Sequence, residues 1–475
     1  MVTALELLSV VLDPDSYTSW DAPIDIDGHP DDYRATLLRA AEKSGVDEAV
    51  ITGSGRIRER PVAIIANEFE FLAGSIGMAA AERIVRAINR ATDERLPLLA
   101  STASGGTRMQ EGTPAFVKMA DITHALAEHK AAGLPYLVHL RHPTTGGVFA
   151  SWGSLGHITT AEPEALAGFL GPKVFEALRG RPFPPDVQVA DRLASRGVID
   201  GVLPTAHLRP MTARTLSLLL DGPTPSTRER RQVTDGGGPD RPDESVWSNI
   251  EATRSPDRPG LRELLRFGSD ETVNLSGTLT GESNPAVAVS LARLDGVACV
   301  VVGHDRAAEI DTPLGPAGLR QAQRGMRLAN ELSLPLVTVV DTAGADLSES
   351  AELGAMAGEI ARTLAQLTSL STPSVAVLLG QGCGGGALAL LPAKCILATE
   401  KSWLSPLPPE GASVILTGST DSAADVARSQ RVGAATLLAD GIVHHVIPEH
   451  PADDPEALCN AVAAEIGARL RDMLS

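Results

Sequence analysis

The sequence predicts an α/β protein built from two tandem, homologous domains. Short apolar runs rich in Val, Ile and Leu alternate with helical periodicities. That is the pattern of mainly parallel strands buried on both faces. Landmarks of the first half recur in the second at a nearly constant spacing. A polar stretch rich in Gly, Pro and charge, "TPSTRERRQVTDGGGPDRPDES" (Thr224 to Ser245), lies between them and has linker composition. The expected division is residues 1–225 for the first domain, 226–248 for the linker and 249–475 for the second domain.

The bulk properties narrow the function classes. The 475 residues leave room for two or three domains with ordinary cores. With 43% hydrophobic and 21% charged residues, the composition is globular. A formal net charge of −18 argues against nonspecific nucleic-acid binding. The 4 cysteines, Cys299, Cys383, Cys395 and Cys459, form no C-x-x-C pair, so no zinc ribbon or disulfide framework is expected. A reducing compartment is the simplest reading. The first residues, "MVTALELLSVVLDPDS", make a poor signal peptide, with an acid inside the apolar part and no basic leader. No apolar run reaches bilayer length, and a cytoplasmic protein with no membrane association is expected.

The repeat fixes the elements in order. Pro97 opens "LPLLAST" and Pro135 opens "LPYLVHL", 38 residues later. Pro335 opens "LPLVTVVDT" and Pro373 precedes "SVAVLLG", again 38 residues later, and each proline lies 238 residues from its counterpart. Gly77 with Gly315, Glu111 with Glu349 and Glu162 with Glu400 keep that spacing. The pair Gly146-Gly147 matches Gly385-Gly386 at a spacing of 239, read as a one-residue slip in a loop. Each half reads strand, helix, strand, glycine turn, helix. Leu353, Met356, Ile360, Leu364 and Leu367 predict an amphipathic helix, as do Phe116, Met119, Ile122 and Leu126 in the first half.

The glycine pairs carry the chemistry. "HPTTGGVFASW" and "QGCGGGALALL" each follow a buried strand and open a small-residue helix. Glycine permits positive φ and close approach. A helix start offers free N–H groups and a dipole that favours negative charge. Two such N–H groups can stabilise the oxygen of an enolate or a tetrahedral intermediate. Ligands of open α/β sheets sit at the carboxyl ends of strands, where both pairs lie. "TASGGTRMQEG" (Thr102 to Gly112) and "DTAGADLSES" (Asp341 to Ser350) supply a second strand-to-helix loop in each half, and Gly105 and Gly106 are expected to shape the wall of the same cleft. Neither a G-x-x-x-x-G-K-[ST] loop nor a G-x-G-x-x-G fingerprint with a following acid is present.

"SGGTRMQEGTPAFVKMA" and "HPTTGGVFASWGSLGHITTAEPEALAGFLGP" together resemble the β half of the carboxyltransferase of acetyl-CoA carboxylase. "PLVTVVDTAGA", "ESAELGAMAGEIARTL", "GQGCGGGALALL" and "SPLPPEGA" resemble its α half, here fused behind the β half. The resemblance covers roughly residues 50–220 and 270–450. It implies two tandem crotonase-like (ClpP/crotonase spiral) domains of repeated ββα units, the first on the acyl-CoA side and the second on the biotin side. It implies transfer of a carboxyl group from carboxybiotin on a partner carrier protein to the α-carbon of acetyl-CoA, or another short acyl-CoA, to give malonyl-CoA. Gly146 and Gly147 would hold the acyl thioester oxygen, and Gly385 and Gly386 the ureido oxygen of biotin. Gly105, Gly106, Arg108, Val148, Ala387 and Ala389 would contact substrate. The biotin left after CO₂ departs would take the α-proton, so no side chain is required as base.

The implied partners are a biotin carboxylase, a biotin carboxyl carrier protein and further copies of this chain, at least a dimer and up to a hexamer. The implied site lies between the first half of one subunit and the second half of another. No metal and no ATP bound by this chain are expected, because no ATP-grasp signature is evident and "FVKMAD" is no biotin-bearing Met-Lys-Met hairpin. The chain departs from the β pattern in lacking the four-cysteine ribbon, and in having His142 and His157 where Asp is usual. Packing or surface roles are expected for both histidines, and a space-filling role for Cys383. Alternative readings are a malonyl-thioester decarboxylase or carboxyltransferase component, a crotonase-type hydratase or isomerase with Glu111 as its nearest acid–base candidate, and a non-catalytic scaffold of a carboxylase.

Overall fold

The structure, a computed structural model, describes residues 2–235, 245–450 and 452–475. It divides into two compact units: Met1–Ser217 with Leu279–Gly281, and Leu218–Thr278 with Glu282–Ser475.

The first unit is built on one mixed sheet. An antiparallel hairpin, Val50–Ile57 and Arg60–Asn67, opens it. The helix Met78–Asp93 then leads to Leu98–Ser104, which pairs parallel to Arg60–Asn67. The helix Gly112–Ala131 leads to Tyr136–Thr145, parallel again, and Ile158–Ala161 extends the sheet. Thr18–Ser19 adds an antiparallel edge, and Gly201–Val202 lies at the other end. The hairpin turn Arg58-Glu59 holds positive φ of 47° and 68°, the geometry that suits a twisted two-residue loop but strains residues other than glycine. The Asp13 carboxylate holds it, accepting the N–H groups of Arg58 (3.0 Å) and Glu59 (2.7 Å).

The second unit repeats this plan. The hairpin Val287–Leu294 and Val297–His304 turns at Asp295-Gly296. The helix Pro316–Glu331, the strand Leu336–Thr342 and the strand Ser374–Cys383 follow, and Cys395–Thr399 adds the next parallel strand. Every residue of Val297–His304, Leu336–Thr342 and Ser374–Cys383 is buried, as their unbroken apolar runs require. Val337, Val339, Val375, Val377 and Leu379 form one core with the C-terminal helix Pro455–Leu474. ββα units thus recur in both halves, as the sequence predicts.

Three elements differ from expectation. The strands after Pro135 and Pro373 run on to Thr145 and Cys383, so pairing continues up to the glycines themselves. The periodicity from Leu353 to Leu367 spans two helices, Glu349–Leu353 and Met356–Thr368, broken at Ala355 (φ 65°), and Leu353 is exposed. Phe116 is exposed too, whereas Met119, Ile122 and Leu126 face the core. Regular spacing cannot distinguish a core stripe from a second apolar surface. The expected linker is not a free spacer over residues 226–235. Arg228 pairs with Asp270, Arg230 with Glu465 and Arg231 with Asp453, and Thr234–Asp235 adds a strand beside His445–Ile447. Residues 236–244 lie outside the described residues.

Close helix-on-sheet packing in the second unit depends on Gly325, in the helix Pro316–Glu331. A Cβ there would lie 2.5 Å from Val302 Cγ2 and 3.0 Å from Val289 Cγ1. Gly325→Leu gains about 0.8 kcal/mol of helix propensity. Overpacking of that size costs about 1–3 kcal/mol or more. The expected outcome is a lower denaturant midpoint at unchanged m-value.

Candidate functional site

The turns at the two glycine pairs are equivalent at a spacing of 238, not 239. Gly146 (φ 63°) and Gly384 (φ 65°) each follow the last strand residue in the left-handed region. Gly147 therefore corresponds to Gly385, and Val148 to Gly386. The one-residue slip disappears, because a third glycine in "GGG" had masked the register. The neighbouring loops agree: Gly106 (φ 105°) corresponds to Gly344 (φ 132°) at the same spacing.

In the first unit the two glycine loops meet backbone to backbone. A Cβ on Gly106 would lie 3.2 Å from Gly146 Cα and 3.2 Å from Gly147 N. A Cβ on Gly146 would lie 3.3 Å from Gly105 O. Gly106 donates its N–H to Ser104 Oγ (3.0 Å) and Gly105 donates to Ala73 O (2.8 Å), so these glycines shape the wall while their own donors are occupied.

Gly146 is corrected as a donor. Its N–H is given to Phe169 O at 3.0 Å, continuing the strand's pairing into the turn. The free N–H groups of the short helix Gly146–Phe149 begin at Gly147 and Val148. Facing them is a donor the sequence reading missed. Thr107 forms a parallel bridge with Ile76, in which Ile76 N–H binds Gly106 O (2.8 Å) and Arg108 N–H binds Ile76 O (2.9 Å). The alternation points the Thr107 N–H away from that bridge, and no hydrogen bond among the described residues takes it.

The second unit repeats the arrangement with Ala345 in place of Thr107. Leu314 bridges Ala345, and Asp346 N–H binds Leu314 O at 2.9 Å. The Ala345 N–H is likewise without a partner among the described residues. A Cβ on Gly386 would lie 3.4 Å from Ala345 N. The N–H groups of Gly385 and Gly386 sit in the first turn of the helix Gly384–Leu390 and lack intrahelical partners. The loop Ala343–Ala345 lines a cavity of about 710 Å³, with Gln381, Glu309 and the segment Arg254–Glu263 among its other walls. The repeat register gives the one sequence signal for Thr107 and Ala345: both follow the positive-φ glycine of their loop.

Other candidates are structural. Arg108 is buried and cannot reach a ligand. Its guanidinium makes a two-pronged ion pair with Glu48 (Nη1 to Oε2, 2.9 Å), donates to Ser75 O (2.7 Å) and approaches Glu111 at 3.3 Å. These partners hold its pKa above the ordinary arginine range despite burial. Glu111 caps the helix Met78–Asp93 by accepting the Met78 N–H, so its dipole contact is with a neighbouring helix, and it also accepts the Tyr33 hydroxyl. Val148, Ala387 and Ala389 are fully buried, so none presents a side chain to a site. His142 is exposed and accepts the Leu166 N–H (3.2 Å). His157 is buried and accepts the Tyr136 N–H (3.0 Å). Cys383 packs with Val246, Ile250 and Trp403, and burial pushes its thiol up to about 11, which leaves it protonated and unreactive.

Each homologous half carries a strand-to-helix turn whose leading N–H groups have no partner among the described residues, an arrangement suited to an oxygen that gains negative charge. A family model for the carboxyl transferase domain matches residues 2–454, and the chain belongs to that family. It is 52% identical over 474 residues to a protein of Mycobacterium tuberculosis named a probable biotin-dependent acyl-coenzyme A carboxylase beta3 subunit, covering 98% of this chain and 94% of that one. It is 38% identical over 491 residues to the acetyl-coenzyme A carboxylase carboxyl transferase subunits beta/alpha of Salinispora arenicola, covering 98% and 86%. Its fold is similar to that of the solved transcarboxylase 12S, with a TM-score of 0.76 at 20% identity over 98% of this chain and 90% of that one. The protein is a carboxyltransferase. Among the described residues no helix is long and apolar enough to cross a membrane.

The corrected role of Arg108 makes a test. Arg108→Met leaves Glu48 buried without its cation, and breaking such a pair costs about 3–5 kcal/mol. The expected result is a large loss of thermal stability, with the acyl-CoA KM of the surviving folded enzyme unchanged. A raised KM at unchanged stability would restore Arg108 to the ligand.

Proposed function

We propose that this carboxyltransferase moves a carboxyl group from carboxybiotin, carried on a partner protein, to the α-carbon of acetyl-CoA or another short acyl-CoA, giving malonyl-CoA or its homologue. One observation carries the reading: each half brings together two loops whose N–H groups have no partner among the described residues, Thr107 beside Gly147 and Ala345 beside the Gly385-Gly386 turn. Such paired donors suit an oxygen that gains negative charge during reaction. The names of the relatives favour a biotin-dependent acyl-CoA carboxylase.

In this reading the Thr107 and Gly147 N–H groups stabilise the thioester oxygen as the α-carbon loses its proton and the enolate forms. Gly106 and Gly146, lacking side chains, let the acyl group approach the donors. The Ala345 and Gly385 N–H groups receive the ureido oxygen of biotin at the wall of the 710 Å³ cavity, whose size and backbone donors fit a compact bicyclic urea. Carboxybiotin, when bound, supplies activated CO₂ and a basic nitrogen. Fixed peptide dipoles need no reorganisation as charge develops. The partners in this reading are a biotin carboxylase, a biotin carboxyl carrier protein and further copies of this chain. The buried methyl of Ala389 sets no acyl-chain length.

The test is carboxylation of free biotin with malonyl-CoA as donor, the reverse half-reaction. Gly147→Pro and Gly385→Pro each delete one donor at a position outside the left-handed region. Loss of one such donor costs about 10²–10³-fold in rate. Both variants are expected to lose that much. Wild-type inactivity on malonyl-CoA and longer carboxyacyl-CoAs would overturn the reading.

A further inference from the structure

The turns that carry the Thr107 and Ala345 donors are braced differently. In the first unit Gly106 N–H donates to Ser104 Oγ (3.0 Å), and Ser104 donates its hydroxyl to Gly74 O (2.6 Å). In the second, Gly344 N–H donates to Thr342 Oγ1 (3.0 Å), and Thr342 donates to Glu309 Oε2 (3.0 Å). The same relay thus ends on a neutral peptide carbonyl in one half and on a carboxyl group in the other. Glu309 ends the short helix Arg306–Glu309 and lines the cavity at the Ala343–Ala345 loop. Its Oε1 is buried with no hydrogen-bond partner among the described residues.

We propose that Glu309 is a positioning residue for the second hole. As a neutral carboxylic acid it holds the Thr342–Ala345 turn, and as a carboxylate it opposes the negative charge that the hole must stabilise. The inference rests on the carboxyltransferase reading of that hole. A peptide carbonyl performs the bracing at all pH values, so only the second half acquires this dependence.

The surroundings favour the neutral form. Burial pushes the Glu309 carboxyl up to about 8, and the nearby acids Asp341 and Asp305 push the same way against the Thr342 hydroxyl and the Ala343 N–H. Asp341 is itself pushed up by burial. Arg306, on the same helix, lies 3.6 Å from Asp341 and gives its guanidinium to Thr253 O and Arg258 O. Arg262 pairs with Asp305 (2.6 Å) and Arg258 with Glu449 (2.8 Å), so both cations are committed. His304, facing Asp341 from the adjacent strand, is held neutral by burial, with its pKa down at about 4. A folded pKa above the ordinary carboxyl value gives a stability contribution that is complete below the unfolded pKa. It is lost as pH rises through about 8.

The experiment compares wild type, Glu309→Gln and Glu309→Ala in malonyl-CoA-dependent carboxylation of free biotin, with thermal midpoints, from about pH 6 to about pH 9.5. Gln keeps the acceptor for Thr342 and cannot ionise. Near pH 6.5 its rate should lie within about 3-fold of wild type, whereas Ala should lose about 10-fold or more. Above pH 8 the ratio of Gln to wild type should rise about 10-fold, and the Gln variant should become the more stable protein. A ratio independent of pH, with wild type active, overturns the inference and leaves the carboxyltransferase reading intact. A wild type without transfer at any pH overturns both.

Discussion

Two stretches of backbone approach each other at Gly106 and Gly146 so closely that a single methyl group on either would lie 3.2 Å from the Cα of the other. That contact sets the rest of the first unit's site. An unpaired peptide N–H costs about 1–3 kcal/mol when buried, so a fold keeps one only where geometry denies it a partner or a ligand supplies one. Here the parallel bridge of Thr107 with Ile76 turns one N–H outward, and the strand running through Thr145 into a left-handed glycine presents the next helix end on to it. The strand cannot stop earlier, because Gly146 N–H is still occupied by Phe169 O. Sheet pairing, carried to its last possible bond, positions the first free donor at Gly147.

The same scaffold is used twice with different electrostatics. Around the first loop the buried charges are arginines in committed pairs: Arg108 with Glu48, and Arg83 with Asp21 and Asp47. Around the second loop two buried acids, Asp341 and Glu309, are pushed towards their neutral forms, and the buried His304 beside Asp341 is neutral as well. Asp341 also accepts the Gln381 N–H (2.9 Å) in the strand that leads to Gly384. Desolvation opposes each charge and outweighs the Arg306 guanidinium that lies 3.6 Å from Asp341. The first loop is braced by the Ser104 hydroxyl, whose relay ends on the Gly74 carbonyl and does not titrate. The second is fixed by hydrogen bonds to carboxyl groups whose ionisation the local burial controls.

Most of the fold was legible because its signals are periodic or repeated. Buried strands announce themselves as unbroken Val and Leu runs, and the 238-residue repeat ties each to its counterpart. The failures share a cause. The helix broken at Ala355 and the exposed Phe116 look regular in sequence, since an apolar stripe is written the same way whether it meets a core or remains on the surface. Arg108 sits inside a glycine-rich motif and looks like a ligand-binding cation. The buried Glu48, 60 residues earlier, is what makes it a strut.

The site itself was legible by region and illegible by atom. Glycine pairs after strands mark where a donor can be bare, but which N–H is bare depends on hydrogen bonds made by residues with no distinctive identity. Phe169 removes Gly146 from the donor set through its carbonyl, and Thr107 and Ala345 enter it because the bridges to Ile76 and Leu314 are bonded through their neighbours. A catalytic group made of main chain has no side-chain signature. What the sequence can encode is the permission for that geometry, a residue without a Cβ at a positive φ, and this is why the register error at "GGG" mattered. Three glycines in a row grant the permission three times, and only the left-handed conformation of Gly384 shows which one the fold uses.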